Sequence, residues 1–210
     1  MTRSIALYVD GSAGYVSGGK FTHFELAWGI RAHYDGATEE ALGSRGVPQQ
    51  AHGMHEKVAF VEGMLLALAR GFAFEDMVFF TDDDVLPYAG MYLHPDNGMG
   101  TRRGQVEQRL HTLCRLLYTQ ELYDKILECL KRSRFHKVRG HSFVVDHDRV
   151  DYLAKVGLRR GLRGDTTPML AFSDWLSKGL DYRLNADERR TWFAPFVQTL
   201  GPGQEAVHAH

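Results

Sequence analysis

The chain has 210 residues, 44% of them hydrophobic and 24% charged, which suits one domain with an appendage or two small ones. A formal net charge of −1 excludes a generic polyanion binder, so any contact with nucleic acid must use a local basic surface. Two cysteines, Cys114 and Cys129, in helical-looking sequence read as reduced residues of a cytosolic protein, and no cysteine zinc pattern occurs. The N-terminus lacks a basic-then-apolar leader, and no apolar run approaches the ~18 residues of a membrane span. The expectation is a soluble, cytoplasmic protein.

In chain order, the apolar run from Ser4 to Val9 reads as a first strand ending at Asp10-Gly11-Ser12, a glycine-rich turn. Residues Phe24 to His33 read as a second strand, followed by the hairpin signal Asp35-Gly36. A third strand, at an edge or giving way to loop, falls between Ala37 and Gln50, where Gly43, Gly46 and Pro48 weaken a central position. From Glu56 to Arg70 the apolar residues switch to helical spacing, with Gly71 as the stop. Met77 to Thr81 is a compact apolar run, the pattern of a buried parallel strand, and it ends at Asp82-Asp83-Asp84.

A loop rich in Gly, Pro and Asn spans Pro87 to Gly100. Thr101 to Arg132 suits two helices broken near Thr119, and Phe135 to Val138 suits a last strand. Asp148 to Arg163 is then a helix opened by acids, which its dipole favours. The order implies a mixed five-stranded sheet flanked by helices, an α/β fold spanning residues 1–163. Residues 164–200 read as a helical C-terminal extension, with Trp175, Trp192, Phe193 and Phe196 as a packed cap or a docking surface. Residues 201–210 read as a disordered tail.

Four acids stand at junctions of these elements. Asp10 and Asp82 end two strands that, as parallel neighbours, would bring their carboxyl ends to one sheet edge, where open α/β sheets place ligands. Glu56 opens the first helix, and Asp151 lies in the first turn of the last. Taken singly, Asp10-Gly11 is a turn and Asp82-Asp83-Asp84 a helix N-cap. Together they could crowd only if cations neutralised them, and hard oxygen ligands suit Mg²⁺ or Mn²⁺. Two such ions would serve an in-line phosphoryl displacement. His141, on a glycine-hinged loop ten residues before Asp151 (151 − 141), suits the same chemistry.

These residues resemble type 1 enzymes of the ribonuclease H family. Tyr8-Val9-Asp10-Gly11-Ser12 is similar to the family's first motif, and Glu56-x-x-Ala59-x-x-x-Gly63-Met64 to the second. Phe80-Thr81-Asp82 is similar to the third, and Gly140-His141 with Asp151-Tyr152-Leu153-Ala154 to the fourth. The resemblance covers about residues 4–163 and implies a ribonuclease H-like fold and cleavage of the RNA strand of RNA/DNA hybrids. It implies that Asp10 bridges two metal ions, that Glu56 and Asp82 help hold one, and that Asp151 helps hold the other. His141 would assist product release or proton transfer. Glu62 is the rival to Glu56, but at i+6 it lies on a different helix face. Ser12 stands where the superfamily's exonucleases carry a glutamate, which disfavours them.

The substrate side departs from the family. Its asparagines before the glutamate are replaced by Ala51-His52-Gly53-Met54-His55, and Asp84 stands where an amide is usual and would repel a phosphate. A nuclease acting on DNA or structured RNA, or a non-catalytic binding module of the same fold, are the alternatives. Between Thr101 and Arg139, ten Arg/Lys face four acids. Arg102, Arg103, Lys131, Arg132, Arg134, Lys137 and Arg139 are the candidate nucleic-acid contacts, the resemblance implying a basic helical handle here. The competing reading of the stretch is a solvated helix face with ion pairs.

Overall fold

The computed structural model describes residues 3–15, 23–51, 53–87, 89, 100–139 and 144–163. The expected extension and tail, residues 164–210, lie outside the described residues, as do His141 and most of the loop from 87 to 100. Within the described residues, five strands and four helices run in order: β1 (Ile5–Tyr15), β2 (His23–Tyr34), β3 (Ala37–Pro48), α1 (His55–Ala69) and β4 (Met77–Thr81). After these come α2 (Gly100–Leu117), α3 (Gln120–Arg132), β5 (Arg134–Lys137) and α4 (Val145–Arg163).

The strands form the expected mixed sheet, in the order β3-β2-β1-β4-β5. Both pairings of β2 are antiparallel, and β1–β4 and β4–β5 are parallel. Asp35 and Gly36 make the β2–β3 turn with positive φ, 50° and 77°, as a tight hairpin requires. The glycines of β3 do not break it: it pairs with β2 from Ala37 to Pro48 and closes one edge of the sheet.

The structure departs from the sequence pattern at two places that shape the site. β1 does not stop in a turn at Asp10; it runs to Tyr15, with Asp10, Gly11 and Ser12 paired to Gly29, Trp28 and Ala27 of β2. Cross-strand hydrogen bonding over this length outweighs the local turn preference of Asp-Gly-Ser. Helix α4 begins three residues earlier than its acids suggest, at Val145, so Asp151 sits in its second turn rather than its first.

The core lies between the sheet and α1, where Leu7, Val9, Phe60, Met64 and Phe79 are fully buried. Phe60 meets Phe79 edge-on at 5.0 Å, and Phe79 stacks on Phe135 of β5 at 5.0 Å. Helix α4 covers the other face, its Val150 and Leu153 against Gly29 of β2 and its Gly157 against Gly43 of β3. Among the described residues no helix is long and apolar enough to cross a membrane.

Candidate metal centre

The parallel ladder between β1 and β4 has four pairs and ends at Tyr8 with Phe80. Carried on by two residues, that register would put Asp10 level with Asp82, the first residue past β4, and their carboxylate oxygens lie within 4.8 Å. Beyond Thr81 the β4 side of β1 is no longer paired, and this notch is the site. The N-termini of α1 and α4 reach it from opposite faces of the sheet.

Two close approaches set that convergence. A Cβ on Gly11 would lie 2.3 Å from the carbonyl carbon of His55 and 2.7 Å from the amide nitrogen of Glu56. Only glycine therefore lets the start of α1 press against β1 and deliver Glu56 to Asp10. A Cβ on Gly29, the β2 partner of Asp10, would lie 2.2 Å from the carbonyl oxygen of Val150. Glycine there lets α4 settle on the sheet with its first two turns over Asp10.

The resulting cleft, about 190 Å³, is lined by Asp10, Gly11, Glu56, Asp82, His147, Asp148 and Asp151. Carboxylate oxygens of Asp10, Glu56 and Asp82 all lie within 4.8 Å of one another. Asp10 is nearly fully buried; burial, then the neighbouring Glu56 and Asp151, hold its carboxyl well above the usual range. Burial first, then Asp82, pushes Glu56 up to about 8. One buried oxygen of Glu56, Oε2, has no hydrogen-bond partner among the described residues. Crowded carboxylates that resist ionisation, with an orphaned acceptor among them, fit a cation.

Asp151, on α4, faces the same cleft and accepts from Lys155 Nζ through both oxygens, an i,i+4 pair. Glu62 is elsewhere: it accepts from the Tyr118 hydroxyl at 2.7 Å and lies 3.9 Å from Arg45. Of the two rivals on α1, Glu56 is thus the one in the cleft.

A buried ion pair braces the acids from behind. Lys57 Nζ, next in sequence to Glu56, donates to Asp83, next to Asp82, and both side chains are below a tenth exposed. Asp83 also accepts from the backbone N–H groups of Val85 and Leu86 at 2.7 and 2.6 Å, tying down the chain after β4. Asp84, expected to repel a phosphate, instead takes Lys137 as its partner, so its charge is matched.

The sequence pattern does not single out two of the lining residues, His147 and Asp148. A helix start at Asp148 leaves His147 outside the helix and hides its i,i+4 spacing to Asp151, which the start at Val145 reveals. His147 Nε2 lies 3.6 Å from Asp82 Oδ2. Burial opposes charge on this imidazole, but Asp82, Asp10 and Asp148 outweigh it and raise its pKa. Ion pairs fix the helix turn on either side: Arg31 with Asp146 at 3.0 Å, and Arg149 with Glu40 at 2.8 Å.

The basic candidates are arranged differently. Lys131 pairs with Glu128 at 3.5 Å, Arg132 with Glu75, and Lys137 with Asp84. Arg134 and Arg139 are exposed at the start of β5 and just beyond its end. Arg102 and Arg103 fall on α2, with side chains outside the described residues.

A sheet of order β3-β2-β1-β4-β5, antiparallel through its first three strands and parallel after, with its acids at the β1–β4 notch, decides the architecture. The fold is ribonuclease H-like. No family model matches the chain, and no curated protein sequence matches it. Among solved structures it is similar to ribonuclease H1 from the halophilic archaeon Halobacterium salinarum, at 18% identity and TM-score 0.43, over 74% of this chain and 98% of that one. It is similar to the prototype foamy virus protease-reverse transcriptase at 17% identity and TM-score 0.47, over 74% of this chain but 21% of that one. A third is LC11-RNase H1, isolated from compost, at 16% identity and TM-score 0.43, over 77% of this chain and 99% of that one.

Proposed function

We propose that the chain is a divalent-metal-dependent endonuclease of the ribonuclease H type that hydrolyses the RNA strand of RNA/DNA hybrids, leaving 3′-hydroxyl and 5′-phosphate ends. The observation that carries this reading is the preassembled set of Asp10, Glu56 and Asp82, whose carboxylate oxygens lie within 4.8 Å of one another at the β1–β4 notch, with Asp151 across the cleft. Asp10 would bridge two ions, Glu56 and Asp82 would help hold one, and Asp151 the other. When bound, Mg²⁺ or Mn²⁺ supplies an activated water and neutralises charge building on a phosphodiester during in-line displacement.

The chain's own part is positioning. Asp10 is fixed by backbone pairing on β1, Glu56 by the close seat of α1 on Gly11, and Asp82 by the Asp83–Lys57 brace. Rigid supports of this kind set acids in place before substrate arrives. Residues 1–163 form the catalytic domain in this reading, with 164–200 as an extension. His141 would act from its loop in product release or proton transfer. Arg102, Arg103, Lys131, Arg132, Arg134, Lys137 and Arg139 would offer phosphate contacts, strongest at low salt.

The test is a cleavage assay with matched RNA/DNA hybrid, double-stranded RNA, and single- and double-stranded DNA, each with Mg²⁺ and with Mn²⁺. Hybrid cleavage by the wild type is expected, and Asp10→Asn should lower it on the order of 10³-fold or more while circular dichroism stays native. An active Asp10→Asn protein would sink the mechanism. Preference for DNA or structured RNA would move the substrate and keep the chemistry. Binding without cleavage and without a millimolar metal site would mark a non-catalytic module.

A further inference from the structure

We propose that His147 supplies an imidazole nitrogen to the metal centre, making it a mixed nitrogen/oxygen site that prefers Mn²⁺ to Mg²⁺. The inference rests on the reading of the cleft as a metal centre and adds a ligand and a metal preference to it.

His147 is the third residue of α4, one turn before Asp151, so the two side chains share a helix face and both line the cleft. Its side chain is 2% exposed, and Nδ1 has no hydrogen-bond partner among the described residues. A buried polar atom without a partner is costly, and in apolar surroundings it would be hard to explain. The cleft that this ring lines is built of carboxylates, and the partner that suits an imidazole nitrogen there is a cation. Nε2 stands 3.6 Å from Asp82 Oδ2, longer than a sound hydrogen bond.

The imidazole is also held in place. Asp146 and Arg149, flanking it on α4, pair with Arg31 and Glu40 of the β2–β3 ribbon, so the turn carrying His147 is clamped to the sheet. Ligands fixed before the ion arrives are what a selective site needs. The donor set then decides selectivity. Mg²⁺ takes oxygen ligands and keeps several waters, whereas imidazole binds the later divalent ions more strongly, Mn²⁺ being the first of them to gain. Loss of the imidazole should therefore weaken Mn²⁺ binding more than Mg²⁺ binding.

The experiment uses the full chain with ¹⁵N-labelled histidine and Mn²⁺ as the probe, read by pulsed electron paramagnetic resonance, with Mn²⁺ and Mg²⁺ affinities measured alongside. Wild-type protein should bind Mn²⁺ with a histidine-nitrogen hyperfine coupling. In His147→Gln that coupling should vanish and Mn²⁺ affinity fall roughly 10-fold or more, with Mg²⁺ affinity changing less than about 3-fold. His55→Gln, beside Glu56, should keep the coupling. Coupling that survives His147→Gln, or equal losses for both ions, overturns the proposal. Should His147→Gln fail to fold, the wild type and a His55→Gln/His141→Gln double variant decide, since absence of coupling in either overturns it. Wild-type protein that binds no Mn²⁺ would instead sink the metal reading of the cleft, whereas bound Mn²⁺ without coupling sinks only the role of His147.

Discussion

The cleft and the basic stretch of α2, α3 and β5 handle charge in opposite ways. In the cleft, acids of one sign are gathered, Asp10 buried and Glu56 and Asp82 half-buried, their positions set by backbone and glycine contacts. In the basic stretch, Lys131, Arg132 and Lys137 lie at the surface and are matched one to one with Glu128, Glu75 and Asp84. Exposed pairs of that kind add little to stability and are screened by salt. A concentration of like acids is what a fold must hold by force, and it marks the place where a ligand is expected.

The contrast can be broken first at its brace. Lys57→Met leaves Asp83 charged, buried and uncompensated, and should cost about 3–5 kcal/mol in denaturant unfolding. Adding Asp83→Asn should recover part of that loss; no recovery would mean that the pair does not act as a pair. Next comes pH in metal-free protein. Glu56 binds its proton more tightly folded, at about 8, than at its ordinary 4.5, so its protonation contributes stability that is complete below pH 4.5. That contribution is lost as pH rises through 8, and each unit of separation is worth about 1.4 kcal/mol. Thermal melts in chelator should therefore fall between pH 5 and 8, and Mn²⁺ or Glu56→Gln should flatten the fall. A flat profile in chelator would show that the acids are not crowded as described.

Smaller effects are expected at the helix seat and the surface. Gly29→Ala should push α4 off β2, costing about 1–3 kcal/mol as overpacking does, and should weaken metal binding as well. Unchanged metal affinity in Gly29→Ala would separate the seat of α4 from the site. Smallest is Lys137→Ala, which should leave the melting temperature in place. If the basic stretch grips phosphates, it should lower the salt slope of nucleic-acid affinity by about one. An unchanged slope would leave Lys137 as the partner of Asp84 alone.

What was legible in the sequence tracks the range of the interactions. β4 and α1 were readable because Met77–Thr81 and residues 56–70 carry their burial in local pattern. The strand order was readable because a hairpin and a crossover leave few topologies. The extent of β1 was not, because only pairing with β2 keeps Asp10-Gly11-Ser12 extended, and no local preference encodes a partner. His147 was missed for a related reason: its place on α4 depends on where the helix starts, and the clamp that fixes that start comes from Arg31 and Glu40, far away in sequence. That Asp10, Glu56, Asp82 and Asp151 meet at one cleft was legible because their positions depend on element ends and neighbours, which local pattern does report.

The four-pair ladder between β1 and β4 has a consequence for how the site comes into being. It joins residues 72 positions apart in the chain (82 − 10) and involves a parallel pairing, the kind of non-local contact that forms slowly. A slip of one residue would turn Asp82 to the opposite face from Asp10. On the reading of the cleft as a metal centre, the first point on the folding path at which the chain would hold a divalent ion is the point at which that register locks, so ion capture would report that pairing.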